Sequence, residues 1–368
     1  MKSITTIKLK LPHNQILLET MKQYSYSANK VIDFGWNIKT NDKIELHNLT
    51  YYKIRKETKL PAQLVCSSRD KAIEVLKSTK FKNSKPIMKE FLTIRYDARS
   101  FSFKSNTNSY YLSLTTICGR IKIPIEVPEY YWKYLDWKTR SADLILDRNN
   151  RLFIHITMSR EFNSIISNNF VGIDLGINNI AVTSNKKFFN SKEIKRKKIK
   201  FKHLKSKLQA KGTKSSKKLL KKISGREKQF MAWTNHNISK SIVNSIEEGT
   251  IVMEKLAGIR KQSKGKRLNF WLHGWSFYQL QSFIEYKAIR KGIKVIKVSP
   301  YNTSKMCSKC RCIGSRSKSF FTCSRCGYSL NADLNASFNL AKHDSIPNHV
   351  LADVNQPCIS SVDTKASV

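Results

Sequence analysis

The stretch FVGIDLGINNIAVTS, residues 170–184, sets two apolar, β-prone runs on either side of Gly176 to Asn179. Glycine and asparagine tolerate the positive φ that tight turns demand, so the run reads as a β-hairpin. Its first arm holds an acid, Asp174, among Val171, Ile173 and Leu175. A carboxylate buried without a partner is costly, so an acid in such a strand needs a cation or a strong hydrogen-bond donor. The pattern recurs at Glu254, which closes the apolar run Ile251, Val252, Met253. A third acid, Asp333, opens a short helix from Ala332 to about Lys342, directly after a cysteine cluster. Taken singly, each acid reads equally well as a helix cap or as one half of a salt bridge. Two acids ending apolar strands and a third beside a cysteine module point together to a shared role.

Acids are scarce in this chain. Across 368 residues, 26 Asp and Glu face 68 Lys and Arg, a formal charge of +42. Self-repulsion on that scale calls for a polyanionic partner. With 40% hydrophobic residues the chain can bury a large core, which excludes a disordered basic tail. Its length fits two or three domains. No run of about 18 apolar residues appears. Near the start, Thr6, Lys8 and Lys10 alternate with Ile7, Leu9 and Leu11, which marks a strand in place of a signal-peptide core. The expectation is a protein that neither spans a membrane nor is secreted. Charge alone leaves nucleic acid, an anionic membrane surface or an acidic protein as the partner. Residues 192–228 favour the first: 17 Lys and Arg stand against only Glu193 and Glu227, on two basic helices broken at Gly212 to Ser216.

Around this centre the texture of the chain changes several times. Residues 13–80 read as helical, with Leu17, Met21, Tyr24, Ala28 and Ile32 in a helical period and a second stretch around Ala62, Val65, Ala72, Val75 and Leu76. From Phe91 to Met158 short alternating segments follow, ending in a hairpin about Arg148 to Arg151. A β-rich module of residues 1–12 and 81–162, with the helices of 13–80 inserted, is the simplest arrangement. Beyond Glu254 come a basic connector, an aromatic helix from Asn269 to Arg290 closed by Gly292, the strand KVIKV (294–298), and a tail, 346–368, expected to be disordered.

Five of the eight cysteines lie together, as Cys307-x-x-Cys310, Cys312 and Cys323-x-x-Cys326. Paired C-x-x-C knuckles suit tetrahedral zinc, and four thiolates leave no open position, so the ion is expected to be structural. Cys312 in place of Cys310 is the alternative ligand set, and disulfides are disfavoured without export signals. Cys66, Cys118 and Cys358 read as ordinary thiols.

Three converging carboxylates in a basic protein fit metal-assisted phosphodiester cleavage, because hard divalent ions take oxygen ligands. Further along, Trp271, Trp275, Tyr278 and Ser282 read as the packed face of the aromatic helix, continued by Phe283. Base stacking is the competing role for such aromatics. His236 reads as structural in preference to a proton carrier. Lys195, Arg196, Lys197 and Lys198 on the first basic helix, and Arg260, Lys261, Lys264, Lys266 and Arg267 on the connector, are the candidate nucleic-acid contacts.

Taken in order, GIDLGINN (172–179), VMEKL (252–256), the helix with Trp275 and Tyr286-Lys287-Ala288, Pro300 to Ser304, the four knuckle cysteines and NADLNAS (331–337) resemble the TnpB proteins of insertion sequences. That family is related to type V CRISPR effector nucleases, and the motifs span about 165–345. The resemblance implies a multidomain α+β protein: an N-terminal β-barrel (wedge) with an inserted helical recognition unit, then a RuvC-like nuclease domain of RNase H fold over 163–300 and 330–345, with a zinc ribbon at 301–329. It implies Asp174, Glu254 and Asp333 as catalytic ligands of two Mg2+ ions, with Mn2+ as a substitute, and one structural Zn2+ on Cys307, Cys310, Cys323 and Cys326. It further implies a guide RNA from the transposon end, a double-stranded DNA target, a monomer with its RNA, and a cytoplasmic, nucleoid-associated place in a prokaryote. A catalytically idle RNA-guided regulator and an accessory DNA-binding transposition protein are the competing functions. Arg311 departs from the family, which commonly has glycine after the first knuckle.

Overall fold

The computed structural model describes residues 1–82, 84–106, 109–165, 167–256, 265, 269–271, 276–300 and 302–342. The chain divides into two compact units, Lys2–Glu161 and, with Met1, Phe162 onward.

In the first unit, β1 (Lys2–Lys10) leads into α1 (Gln15–Asn37), α2 (Lys43–Glu57) and α3 (Ala62–Thr79). Asn14 caps α1 by accepting from the Leu17 N–H, and Asp42 caps α2 by accepting from those of Ile44 and Glu45. Leu17, Met21, Tyr24, Ala28 and Ile32 are all buried, as their spacing requires. Helix α2 buries only Leu46, Thr50 and Ile54, which is why its period is faint in the sequence. Six strands follow: β2 (Ile94–Tyr96), β3 (Phe101–Asn106), β4 (Ser109–Thr116), β5 (Gly119–Ile125), β6 (Lys138–Leu146) and β7 (Leu152–Glu161). They pair with β1 into two antiparallel sheets, ordered β1-β7-β6-β2 and β3-β4-β5. The β6–β7 hairpin turns through Asn150 at φ 55°, with the Asp147 carboxylate accepting from the N–H groups of Asn149 and Arg151.

The second unit is built on a five-stranded sheet of order β10-β9-β8-β11-β12. Its strands are β8 (Phe170–Asp174), β9 (Asn179–Thr183), β10 (Phe188–Asn190), β11 (Thr250–Glu254) and β12 (Lys294–Val298). The first three are antiparallel, whereas β11 runs parallel to both β8 and β12. Between β10 and β11 lie the basic helices α4 (Lys192–Lys211) and α5 (Lys214–Asn244), separated by Gly212 at φ +63°. Helix α6 (Phe277–Arg290) precedes β12, and α7 (Ala332–Ala341) closes the unit after a small sheet of β13 (Ser315–Ser317), β14 (Phe320–Thr322) and β15 (Ser329–Asn331).

Strand alternation divides the sheet's two faces. Val171 and Ile173 of β8 and Ile251 and Met253 of β11 pack with Ile238 and Ile242 of α5 and with Leu280, Ile284 and Ala288 of α6. The residues between them belong to the other face, where Val252 and Val298 pack on Leu340 of α7. Gly172 is the point of closest approach there: a Cβ on it would lie 1.9 Å from the Ser337 carbonyl oxygen and 2.6 Å from the Ala341 nitrogen. Only glycine lets α7 rest on β8.

The aromatic helix differs from the sequence expectation. Ser276 is not helical, so α6 begins at Phe277 and does not run unbroken from Asn269; Trp275 lies outside the described residues. Its buried face is Phe277, Leu280, Gln281, Ile284 and Ala288, while Tyr278 is 79% exposed. The aliphatic positions four apart supply the stripe that packs on the sheet, and the ring of Tyr278 projects away from it.

Candidate active site

Because β8 and β11 are parallel with Gly172 opposite Val252 and Ile173 opposite Met253, Asp174 and Glu254 end adjacent strands at the same level. Alternation puts both on the face covered by α7. Ligand sites of parallel sheets form at such carboxyl ends. Asp333 arrives from the first turn of α7, and its helix is capped by another residue: Asn331 accepts from the backbone N–H groups of Asp333 and Leu334 at 3.0 and 3.2 Å. The Asp333 carboxylate, 8% exposed, is therefore free of capping and accepts instead from Arg316 Nη2 and Asn179 Nδ2, both at 2.9 Å.

All three acids line one cleft of about 390 Å³, together with Asn178, Pro300, Thr303, Ser304 and Arg316. Thr303 Oγ1 donates to the Glu254 carboxylate, and Gln281 Nε2 donates to the Glu254 backbone oxygen at 2.7 Å. Burial pushes the Asp174 carboxyl up to about 8, reinforced by the neighbouring charges of Glu254 and Asp333 and opposed by Arg316. Burial also raises Glu254, against the Thr303 hydroxyl and Arg316. Three carboxylates facing one cleft, one of them raised by the charge of the other two, form a donor set that an oxygen-seeking divalent cation fits. Arg316 and Thr303 were not singled out from the sequence. Thr303 lies in the quoted run Pro300 to Ser304, but nothing in the spacing shows that a hairpin of the cysteine module carries Arg316 to Asp333.

The cysteine module gathers Cys307, Cys310, Cys323 and Cys326 so that their sulfurs all lie within 4.8 Å of one another. Cys307 and Cys326 sulfurs are 3.7 Å apart, and those of Cys310 and Cys323 are 3.5 Å apart. A tetrahedron of Zn–S bonds of about 2.3 Å has edges of roughly 3.8 Å, so the thiols fit zinc as they stand. Cys312 is outside the group: it is buried, and its sulfur faces Arg325 Nη1 at 3.0 Å. The two knuckles share one backbone design. Arg311 follows the first at φ +67° and Gly327 follows the second at φ +66°, and each donates its N–H to the carbonyl of its knuckle's first cysteine.

Of the candidate nucleic-acid contacts, Arg196 and Lys197 are exposed on α4, Lys197 lying 4.6 Å from the Phe230 ring centroid. Lys195 donates to Asn178 Oδ1 at 2.7 Å, beside the cleft. Lys198 is a correction: it is 1% exposed, and burial lowers its pKa against the opposing pull of Glu227. Its place in the helical period turns it inward with Ile194, so it offers nothing to a polyanion. Arg260, Lys261, Lys264, Lys266 and Arg267 lie outside the described residues. His236 stacks on Phe283 with centroids 3.8 Å apart, and its carbonyl accepts from Lys287 Nζ at 3.1 Å, which ties α5 to α6.

A family described as a probable transposase matches residues 153–259, and one described as the Cas12f1-like TNB domain matches residues 277–340. Among curated relatives, the CRISPR-associated endodeoxyribonuclease Cas12f1 of Sulfoacidibacillus thermotolerans is 46% identical over 125 residues, covering 32% of this chain and 28% of that protein. A TnpB-like protein of Methanocaldococcus jannaschii is 38% identical over 131 residues, 34% of this chain and 47% of that one. The matched stretches thus span under half the length of these relatives. A solved chain from a Cas12f1–sgRNA–target DNA complex superposes with a TM-score of 0.60 over 92% of this chain and 99% of its own, at 15% identity, a likeness of fold. The resemblance to TnpB proteins read from the motifs is borne out, and this chain is similar to TnpB-like proteins and to Cas12f1 alike. No helix among the described residues is long and apolar enough to cross a membrane.

Proposed function

We propose that this protein is an RNA-guided DNA endonuclease of a transposable element, with Asp174, Glu254 and Asp333 as the metal-holding catalytic acids of a RuvC-type site. The observation that carries the proposal is the convergence of three scarce carboxylates, from β8, β11 and α7, in one cleft of a chain with formal charge +42. The sheet order, with three antiparallel strands followed by two parallel ones, supports an RNase H-like domain. Cas12f1 relatives are named endodeoxyribonucleases, which supports DNA as the substrate. Bound Mg2+ would supply an activated water and stabilise the leaving oxygen. The chain's own residues hold and tune that centre: the acids give oxygen ligands, Asn179 orients Asp333, and Arg316 lies where it can meet a phosphate. The two sheets and inserted helices of the first unit suit the wedge and recognition roles, and Arg196 and Lys197 the grip on RNA or DNA.

The test is to purify the protein with its RNA, sequence that RNA, and assay cleavage of a matching duplex with Mg2+. A discrete RNA with a constant scaffold and a variable end is expected, and heterogeneous cellular RNA would overturn the guide. Asp174→Ala is expected to abolish cutting while RNA binding stays within about a few-fold, since the acid meets only the metal centre. Undiminished cutting removes Asp174 from the mechanism. The idle-regulator alternative loses ground because none of the three acids is missing.

A further inference from the structure

We propose that Thr303 is a positioning residue for Glu254, held in place by two asparagines of α7, so that the helix bearing Asp333 also sets where Glu254 points. The inference rests on the metal-holding role of the acids proposed above. It begins from the hydroxyl of Thr303, which has a single proton and two acceptors in reach: the Glu254 carboxylate and, at 3.2 Å, the Pro300 carbonyl. The charged acceptor is the stronger, so the proton goes to Glu254 and fixes one of its oxygens. A carboxylate on a side chain with three torsions otherwise rotates freely, and fixing one oxygen aims the other.

Thr303 in turn is not on a free loop. Its carbonyl accepts from Asn339 Nδ2 at 2.8 Å, and the Met306 carbonyl accepts from both Asn339 Nδ2 and Asn335 Nδ2 at 2.7 Å. Asn335 Oδ1 accepts from the Ser308 N–H at 3.0 Å. Since all the partners of the two amide nitrogens are carbonyl oxygens, the orientation of both amides is settled by chemistry. Asn335 is wholly buried and Asn339 is 3% exposed. They stand one helical turn apart, two and six residues after Asp333, so one helix carries the third acid and both struts. A leucine at 339 would take the amide donor from the Thr303 carbonyl, and one at 335 would take the acceptor from the Ser308 N–H. The same strutted segment runs into Cys307, which joins the cysteine module to the cleft through covalent chain and not through loose contact.

The full-length protein loaded with its RNA provides the test, through calorimetric Mn2+ binding and through the Mn2+ dependence of cleavage. Thr303→Val keeps shape and removes the hydroxyl; Thr303→Ser keeps the hydroxyl. For Thr303→Val, Mn2+ binding is expected to weaken about tenfold, the loss of one hydrogen bond to a charged group, with cutting regained at high Mn2+. Thr303→Ser should stay near the parent, and both variants should keep the parental zinc content and melting temperature. Parental Mn2+ affinity in Thr303→Val overturns the inference, as does equal weakening in Thr303→Ser, which would assign the effect to packing of the methyl group. If the parent binds Mn2+ no better than Asp174→Ala does, the metal-holding reading of the acids falls first.

Discussion

The cysteine cluster and the carboxylate cleft both lie in the second unit and both suit cations, yet they are assembled in opposite ways. The cluster draws its four sulfurs from two turns of the same backbone design within residues 307–326, and the sulfurs already meet one another. The cleft draws its oxygens from residues 174, 254 and 333, on two strands and a helix, and leaves about 390 Å³ open between them. In the cluster one tetrahedral ion would satisfy every ligand. In the cleft the acids stay in tension, with Asp174 pushed up to about 8 by burial and by its neighbours. A structural centre can close on itself, whereas a cleft with the proposed role of admitting a phosphate has to stay open and keep charge for the ligand to neutralise.

Variants can break this contrast. The largest effect on stability is expected from Cys323→Ser, which should release the zinc and unfold β13 to β15 at a cost of about 4 kcal/mol or more; parental zinc content by elemental analysis would refute it. Next, Gly172→Ala should destabilise the second unit by about 3 kcal/mol, because the new methyl meets backbone of α7 that cannot swing aside. An unchanged urea midpoint would show that α7 can shift. Third, the tension at Asp174 has a pH signature. Its folded-state pKa, about 8, exceeds the ordinary 3.8, so between those values the folded chain holds a proton that the unfolded chain has released. Stability in Mg2+-free buffer should therefore fall as pH rises from about 4 to about 8, and Asp174→Asn should flatten that fall and gain about 1–3 kcal/mol at high pH. Equal urea midpoints of the parent at pH 5 and pH 8.5, without divalent ions, would contradict it. The smallest effect belongs to Arg311→Gly. Glycine relieves the left-handed backbone at φ +67°, but the hydrogen bond from Arg311 Nη2 to the Lys342 carbonyl is lost, so the net change should stay within about 1 kcal/mol. A larger shift in zinc affinity or melting would show that the knuckles are not equivalent.

The sequence made some of these features readable and hid others for physical reasons. The hairpin of 170–184, the strand ending at Glu254 and the periodic set of α1 were legible because each is a local pattern. The knuckle spacing was legible because C-x-x-C places two thiolates on one turn. Burial of Lys198 was not, since a lysine in a run of lysines looks exposed until the helix has a neighbour. The packed face of α6 follows the aliphatic period of Leu280, Ile284 and Ala288 and not the size of its rings, which are the more conspicuous feature of the sequence. Arg316 was out of reach altogether, because its meeting with Asp333 depends on how a three-residue strand of the cysteine module folds back toward α7.

The contact of Gly172 with α7 has a consequence for genetics. The glycine touches no part of the cleft, but it seats the helix that delivers Asp333, two residues before Asp174 on the same face of β8. A screen for the proposed cleavage would therefore score alanine at 172 as dead beside substitutions of the three proposed catalytic acids, and only a fold-sensitive counter-screen, such as retained zinc with lost α7 protection from amide exchange, would tell scaffold from chemistry.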